Sequence, residues 1–402
     1  MNPKRTVVII GAGYAGVLAA NRLQASFSNV ELLSVKIVMI NPRTDFIDRI
    51  RLHQVAAGSA DTAAIPLDQV LHRGVEVIVG EVAQILPQLN KVLVETPAGP
   101  VKLPYDVLIY AVGSGAKSSV PGDTFTHSVG SHDGALAVRR AARNLRPAGR
   151  IVVVGGGATG VEAASELAEN HPEAEVHLLS AGQLLSSMPQ RGRKYVKKKL
   201  ALLNVQVTEN ARVVCVGVDS VELEGGRIVR SDLTIWAGSF TVPALAHESG
   251  LATDAAGRLL VTETLQHEEY ANIIGAGDCV NVAGRAGEHL RMGCAIAAPM
   301  GGHAALTALA YLRSKPPTRV SIGFLLRCLS LGRHSGLIQH VGRDDVPRSL
   351  QLSGPAGAWV KERICASVIS GIRKERTSPG SYWTVPAPVD SHARGARDEV
   401  QR

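Results

Sequence analysis

The chain opens on an uninterrupted apolar run, residues 5–10 (RTVVII), that turns at once into Gly11-Ala12-Gly13-Tyr14-Ala15-Gly16. A stretch with helical periodicity follows, VLAANRLQAS, and a second apolar run, VKIVMIN, ends at Asn41. Continuous apolar runs bounded by glycine predict strands buried on both faces, the kind found in parallel sheets covered by helices. About 145 residues later the same succession returns: RIVVVGG, then Gly155-Gly156-Gly157-Ala158-Thr159-Gly160, then VEAASELAEN, then AEVHLLS ending at Ser180. The chain therefore reads as two β-α-β units.

Between the two copies, VEVIVGEVAQILP and KVLVETPAG predict a small β-meander inserted into the first unit, ahead of the apolar YDVLIYAVGSGA. After the second copy, VQVTENARVVCVGVDSVELEGG and DLTIWAGSF continue the strand pattern, and ANIIGAGD closes at Asp278. From about Thr318, FLLRCLSLGRHSGLIQHVG reads as strands, followed by a helix over about Trp359 to Lys374. The final stretch from Glu375 is polar and punctuated by proline, which predicts a mobile tail.

Composition narrows the class. A chain of 402 residues is long enough for two or three domains of about 150 residues each. With 45% hydrophobic and 19% charged residues it is globular rather than disordered. The 41 glycines against 4% aromatics suit an α/β protein with many tight strand-to-helix turns. The five cysteines (Cys215, Cys279, Cys294, Cys328, Cys365) form no C-x-x-C, which excludes a disulfide scaffold and points to a reducing, cytoplasmic setting. The net charge of +8 suits anionic ligands or surfaces without naming one. No aromatic-basic platform accompanies it, so nucleic acid is not an expected partner. The basic start and apolar run mimic a signal peptide, but the run is short and passes into the glycine pattern. The longest apolar stretch, Cys294 to Leu312, is interrupted by Pro299, Gly301, Gly302 and His303, a poor spanning helix. A soluble or peripheral protein is expected.

Each glycine cluster is a G-x-G-x-x-G placed after a strand and before a helix, the context that a dinucleotide-binding turn requires. One glycine makes the turn, one admits a pyrophosphate to the backbone, and one lets helix pack on strand. The helix N-terminus then presents free N–H groups to the phosphates. Two such copies predict two dinucleotides. The acidic residue that usually holds the adenine ribose is missing from both: Asn41 stands in the first unit and Ser180 in the second. Asn41 can still bond ribose hydroxyls. Ser180 removes the carboxylate that would repel a 2′-phosphate, and Arg191, Arg193 and Lys194 follow, so NADPH is as admissible as NADH. The run RGRKYVKKK that carries them also reads as a solvated basic helix face.

Four segments in order, GAGYAG, YAVGSG, GGGATG and IIGAGDC, resemble the two-dinucleotide flavoprotein reductases over about residues 5 to 315. Within that superfamily the chain looks most like the type II NADH dehydrogenases, on RIRLHQVAAG (49–58), SVPG near residue 120, GVEAASELAE and the late KERI…IRKERTSPG. The resemblance implies an α/β fold of two Rossmann-like three-layer βα domains plus a smaller C-terminal region. Residues 1–115 and 256–317 would form the FAD-binding domain and 116–255 the NAD(P)H-binding domain. Residues 318–376 would be an interface and acceptor-side region, and 377–402 the tail. It further implies that Gly11, Gly13, Ala15, Gly16, Asn41, Arg43, Val82, Ala111, Val112, Gly113, Gly277 and Asp278 contact FAD. Asp278 ends the Gly-Ala-Gly turn and has capping of the next helix as its alternative role. Gly155, Gly157, Ala158, Thr159, Gly160 and Ser180 would hold NADH or NADPH. Glu162 and Gln54 would tune the nicotinamide and acceptor side, with Arg51 and His53 as flanking donors.

The activity so implied is an FAD-dependent NAD(P)H dehydrogenase that passes hydride from nicotinamide to FAD and electrons on to a quinone-like or other small oxidised acceptor. Two departures bear on the acceptor. Ala295 and Pro299 stand where the type II enzymes carry two glutamines, and the amphipathic anchor is reduced to residues 359–374, with Trp359, Ile364, Val368 and Ile372 on one face. That face fits peripheral contact with the inner side of a membrane, a homodimer contact, or core packing. Hence the alternatives of a soluble biosynthetic oxidoreductase acting on a specific metabolite, or a low-turnover flavin sensor. Residues 41–110 hold no cysteine, which excludes the redox disulfide of the disulfide reductases, and Cys294 with Cys328 is a weak match to a sulfide-oxidising pair. No metal or acyl-transfer motif is present.

Overall fold

The computed structural model describes residues 4–115, 120–238 and 240–388. Strand β1 (Arg5–Ile10), helix α1 (Tyr14–Ser26) and strand β2 (Val35–Asn41) form the first β-α-β unit, with the two strands parallel and Val8 opposite Val38. Residues 49–58 leave this unit: the short helix α2 (Leu52–Ala57) buries Leu52, Val55, Ala56 and Ala57 in the core of the second domain. Strand β3 (Val75–Val79), expected as the first arm of the meander, instead pairs parallel with β2. Gly80 separates the two roles. Its N–H bonds to the Asn41 carbonyl, and a Cβ there would lie 2.6 Å from the Glu95 carbonyl oxygen. The meander is the antiparallel set Glu81–Leu86, Lys91–Thr96 and Gly99–Pro104. Strand β4 (Val107–Tyr110) then returns beside β1, buried throughout.

The second unit repeats the plan with β5 (Thr126–Ser128), α3 (His132–Arg143), β6 (Arg150–Val154), α4 (Ala158–Asn170), β7 (Glu175–Leu179), α5 (Gln190–Leu202), β8 (Gln206–Thr208) and β9 (Leu233–Trp236). All pairings are parallel, in the order β5-β9-β6-β7-β8. The chain then re-enters the first sheet through β10 (Ile273–Gly275), giving β10-β4-β1-β2-β3. In each sheet the strand before the glycine turn, β1 or β6, sits between connections that leave in opposite directions, so a crevice opens at its carboxyl end.

Helix α6 (Cys294–Leu312) is long and apolar enough to cross a membrane, yet 72% of that window is buried inside the fold. A Cβ on Gly301 would lie 2.1 Å from the Ala15 carbonyl oxygen, so α6 and α1 pack nearly backbone to backbone. Strands β11 (Leu326–Ser330), β12 (Gly336–Val341) and β13 (Pro347–Gly354) form an antiparallel sheet closed by helix α7 (Pro355–Lys374). The inward face of α7 differs from the expected one: Cys365, Ile369 and Ile372 are buried, while Trp359 is 66% exposed. Residues 377–388 of the expected mobile tail are tied down. The buried Glu375 carboxylate accepts from the Gly380 and Tyr382 N–H groups and from Arg22, and Gly323 N–H bonds to the Val385 carbonyl. Residues 389–402, and Ser119 of the SVPG segment, lie outside the described residues.

Candidate active site

The first glycine turn is shaped by close approach. Gly11 has φ +100°, and a Cβ there would lie 2.4 Å from the Ala111 carbonyl oxygen at the mouth of β4. A Cβ on Gly16 would strike the Gly11 carbonyl at 1.9 Å. Gly13, by contrast, has nothing within 4 Å of its Cβ position. It is the N-cap of α1, a helix with no side-chain cap and no acidic residue in its first turn. Open backbone N–H groups at an uncapped helix start, faced by a glycine with empty space, fit a pyrophosphate. Ala15 lies in that first turn, and a Cβ on Gly277 (φ +91°) would lie 3.3 Å from the Ala15 Cβ. Asn41 braces the turn: its Oδ1 accepts from Ala12 N–H and its Nδ2 donates to the Arg43 carbonyl. The Arg43 guanidinium pairs with the exposed Asp133, and Val82 is core-buried on the first meander strand.

Asp278 joins two walls of this crevice. One oxygen accepts from Ser114 Oγ–H at 2.8 Å, next to Val112 and Gly113; the other accepts from Gly293 N–H at 2.6 Å, at the N-cap of α6. Asp278 thus holds the backbone at the N-cap of α6 without capping the helix's first turn, and the crossover loop after β4 shares the same carboxylate.

The second turn opens on a cavity of about 930 Å³. Gly155 (φ +136°) abuts the Ala237 carbonyl, a Cβ on Gly160 would strike the Gly155 carbonyl, and Gly157 faces open space at the uncapped start of α4, beside Ala158 and Thr159. Ser180, buried, lies against Gly156, whose Cβ would meet the Ser180 hydroxyl at 2.0 Å. Trp236 lines the same cavity, and its buried indole N–H has no hydrogen-bond partner among the described residues. An orphaned donor in a glycine-walled cavity of this size fits a dinucleotide. Arg191 and Lys194 sit on the exposed face of α5, and Arg193 reaches only Gln183 at the rim. Arg212 lines the cavity and follows Ala211, whose N–H bonds to the Ser180 carbonyl.

The third cluster is assembled from three remote segments. Glu162 on α4 accepts from Ser330 N–H at 2.9 Å and pairs with Lys361 of α7 at 3.1 Å. Burial raises the Glu162 carboxyl, but Lys361, His53 and the Ser330 N–H outweigh it and hold it below the usual carboxylate range. Burial also disfavours the Lys361 ammonium, and the Glu162 charge reverses that, so Lys361 stays protonated. His53, on α2, is 4% exposed, its Nε2 has no hydrogen-bond partner, and burial brings its pKa down to about 4. Gln54 beside it accepts weakly from Arg51 at 3.4 Å. Arg51 is committed elsewhere, to Glu362 and Asp48, so it is not the free donor its position suggests. Burial pushes the Cys294 and Cys328 thiols up to about 11 despite Lys361, which leaves them protonated. A separate cleft of about 300 Å³ is lined by Asp48, Arg51, Thr62 and, on α7, Cys365 and Ile369.

Sequence reasoning placed Glu162, Gln54 and His53 in this neighbourhood but missed Lys361. Its signal was available: Lys361, Cys365, Ile369 and Ile372 recur at i, i+4, i+8 and i+11, so a lysine stands within an otherwise apolar helix face. Trp236 and Arg212 were missed because neither belongs to a glycine turn.

Residues 5–316 match the family described as pyridine nucleotide-disulphide oxidoreductase. The NADH dehydrogenase-like protein Rv1812c of Mycobacterium tuberculosis is 29% identical over 350 residues, 81% of this chain and 85% of that protein. The type II NADH:quinone oxidoreductase Ndh of the same organism is 30% identical over 327 residues, 70% of this chain and 68% of that one. The structure of Plasmodium falciparum NDH2 in complex with NADH superposes with a TM-score of 0.74 at 16% identity, covering 90% of this chain and 94% of that chain, a likeness of fold.

Proposed function

The chain belongs to the pyridine nucleotide-disulphide oxidoreductase family and is an oxidoreductase of FAD and nicotinamide dinucleotide, and we propose that its acceptor is a quinone-like small molecule reduced beside the Glu162–Lys361–His53 cluster. The observation carrying this reading is a largely buried ion pair whose two charges act on a buried imidazole, the Nε2 of which has no hydrogen-bond partner among the described residues. A relative named for NADH:quinone oxidoreductase supports the acceptor class.

When bound, FAD would supply the two-electron chemistry, accepting hydride from the nicotinamide and releasing electrons singly or in pairs. The chain's own residues do the rest. The glycine turns and their helix starts hold the two pyrophosphates. Lys361 presents a permanent cation and N–H donor to a carbonyl oxygen that gains charge on reduction. Glu162 fixes that ammonium and, through Ser330 N–H, the end of β11. His53, neutral at pH 7 because of its burial, offers a hydrogen bond without adding a second positive charge. The walls exclude water, which strengthens these interactions.

The test separates the two half-reactions. In Lys361→Met and Glu162→Gln, anaerobic flavin bleaching by NADH or NADPH should stay within about twofold of the parent, while reoxidation by a water-soluble benzoquinone falls at least about tenfold. Equal reoxidation rates in all three proteins would overturn the assignment. If reoxidation is slow in the parent itself, the acceptor is not a quinone.

A further inference from the structure

We propose that the second nucleotide cavity selects the dinucleotide that carries a 2′-phosphate, with Arg212 as the residue that recognises it. This rests on the reading of that cavity as the nicotinamide dinucleotide site and adds which dinucleotide it takes. Ser180 ends β7 where the adenine ribose is expected, and its hydroxyl is buried against Gly156, so no carboxylate stands there to bond a free 2′-hydroxyl or to repel a phosphate. Arg212 lines the cavity on this side. Its position is fixed by backbone: Ala211 N–H bonds to the Ser180 carbonyl, and Glu224 N–H bonds to the Arg212 carbonyl. Its side chain is 64% exposed and, among the described residues, pairs only with the exposed Glu224, at 3.9 Å, too long for a hydrogen bond.

The nearby carboxylates are engaged. Glu209 accepts from Leu184 N–H and pairs with Lys197, and Asp345, the one carboxylate among the described residues lining the cavity, is clasped by Arg291 and Arg327. Beside Ser180 this leaves the Arg212 guanidinium without a hydrogen-bonded carboxylate, a planar fork of donors of the kind that suits a phosphate dianion.

The FAD-loaded protein is titrated calorimetrically with NADP⁺ and NAD⁺, which differ only in the 2′-phosphate. Charge-assisted bonding predicts about ten- to hundredfold tighter binding of NADP⁺, shrinking as salt is added. In Arg212→Ala the gap should fall below about threefold with NAD⁺ affinity unchanged. Lys102→Ala, which removes an exposed positive charge from the last meander strand, should keep the gap. Equal or tighter NAD⁺ binding in the parent, or a gap that survives Arg212→Ala, overturns the proposal while leaving the oxidoreductase reading intact. If neither dinucleotide binds, both readings fall. Flavin bleaching by NADPH against NADH gives an independent second readout of the same ratio.

Discussion

Removing His53 should remove a defined part of the acid sensitivity of the protein. An imidazole held neutral by burial titrates near 6.5 in the unfolded chain and near about 4 in the folded one. The unfolded state therefore binds the proton first, so the stability this group contributes is complete above pH 6.5 and is lost as pH falls toward 4. At about 1.4 kcal/mol per pH unit the full loss is about 3 kcal/mol, and between pH 7 and pH 5 it is about 2 kcal/mol. The groups facing His53 shape this figure: Glu162 favours the imidazolium, whereas Lys361, Arg333 and Arg51 oppose it. The assay is urea unfolding of FAD-saturated parent and His53→Leu at pH 7 and pH 5. Other histidines titrate alike in both proteins and cancel in the difference. The variant should lose about 2 kcal/mol less than the parent on acidification. An identical pH dependence would refute the burial argument, and a steeper one in the variant would mean that the imidazole is charged in the fold.

Two further tests concern packing. Gly13→Ala should leave the melting temperature of the FAD-free protein unchanged, since its Cβ has empty space, yet lower flavin retention at least about tenfold by intruding on the pyrophosphate. Gly16→Ala, whose Cβ would strike the Gly11 carbonyl at 1.9 Å, should lower both, and flavin-to-protein absorbance with apo-protein melting distinguishes the two. Arg22→Met should cost about 3–5 kcal/mol in urea unfolding, because it leaves the buried Glu375 carboxylate without its bidentate partner. A loss below about 1 kcal/mol would show that the Gly380 and Tyr382 N–H groups alone suffice for Glu375.

The architecture was legible because the two glycine turns are local. Strand, turn and helix lie within about 40 contiguous residues in each copy, and the hydrophobic period changes within them. The register of Val75–Val79 was not legible. An apolar strand ending in glycine reads alike whether its neighbour is β2 or the next meander strand, and the pairing with β2 is decided by the Gly80 N–H bond to Asn41. The docking of residues 377–388 was likewise invisible. It depends on a buried carboxylate, Glu375, whose partner Arg22 lies on the first helix, and a polar, proline-rich stretch carries no periodic mark of that anchor.

The Glu162–Lys361–His53 cluster shows why a site built from distant segments resists sequence reading yet can be inferred from energetics. Residues 53, 162 and 361 are separated by more than a hundred positions each, and no spacing rule relates them. They meet because α2 leaves the first domain to pack on α4, and because α7 turns a face containing lysine inward. Desolvating an ammonium and a carboxylate costs several kcal/mol per ion before their attraction offsets it, and an apolar pair of similar size would stabilise the same contact as well or better. His53 adds an unpaired buried nitrogen, a further cost of about 1–3 kcal/mol. Three groups that are costly to bury, gathered at one junction, are not explained by folding. The acceptor site proposed above would account for all three, with Lys361 as its central charge.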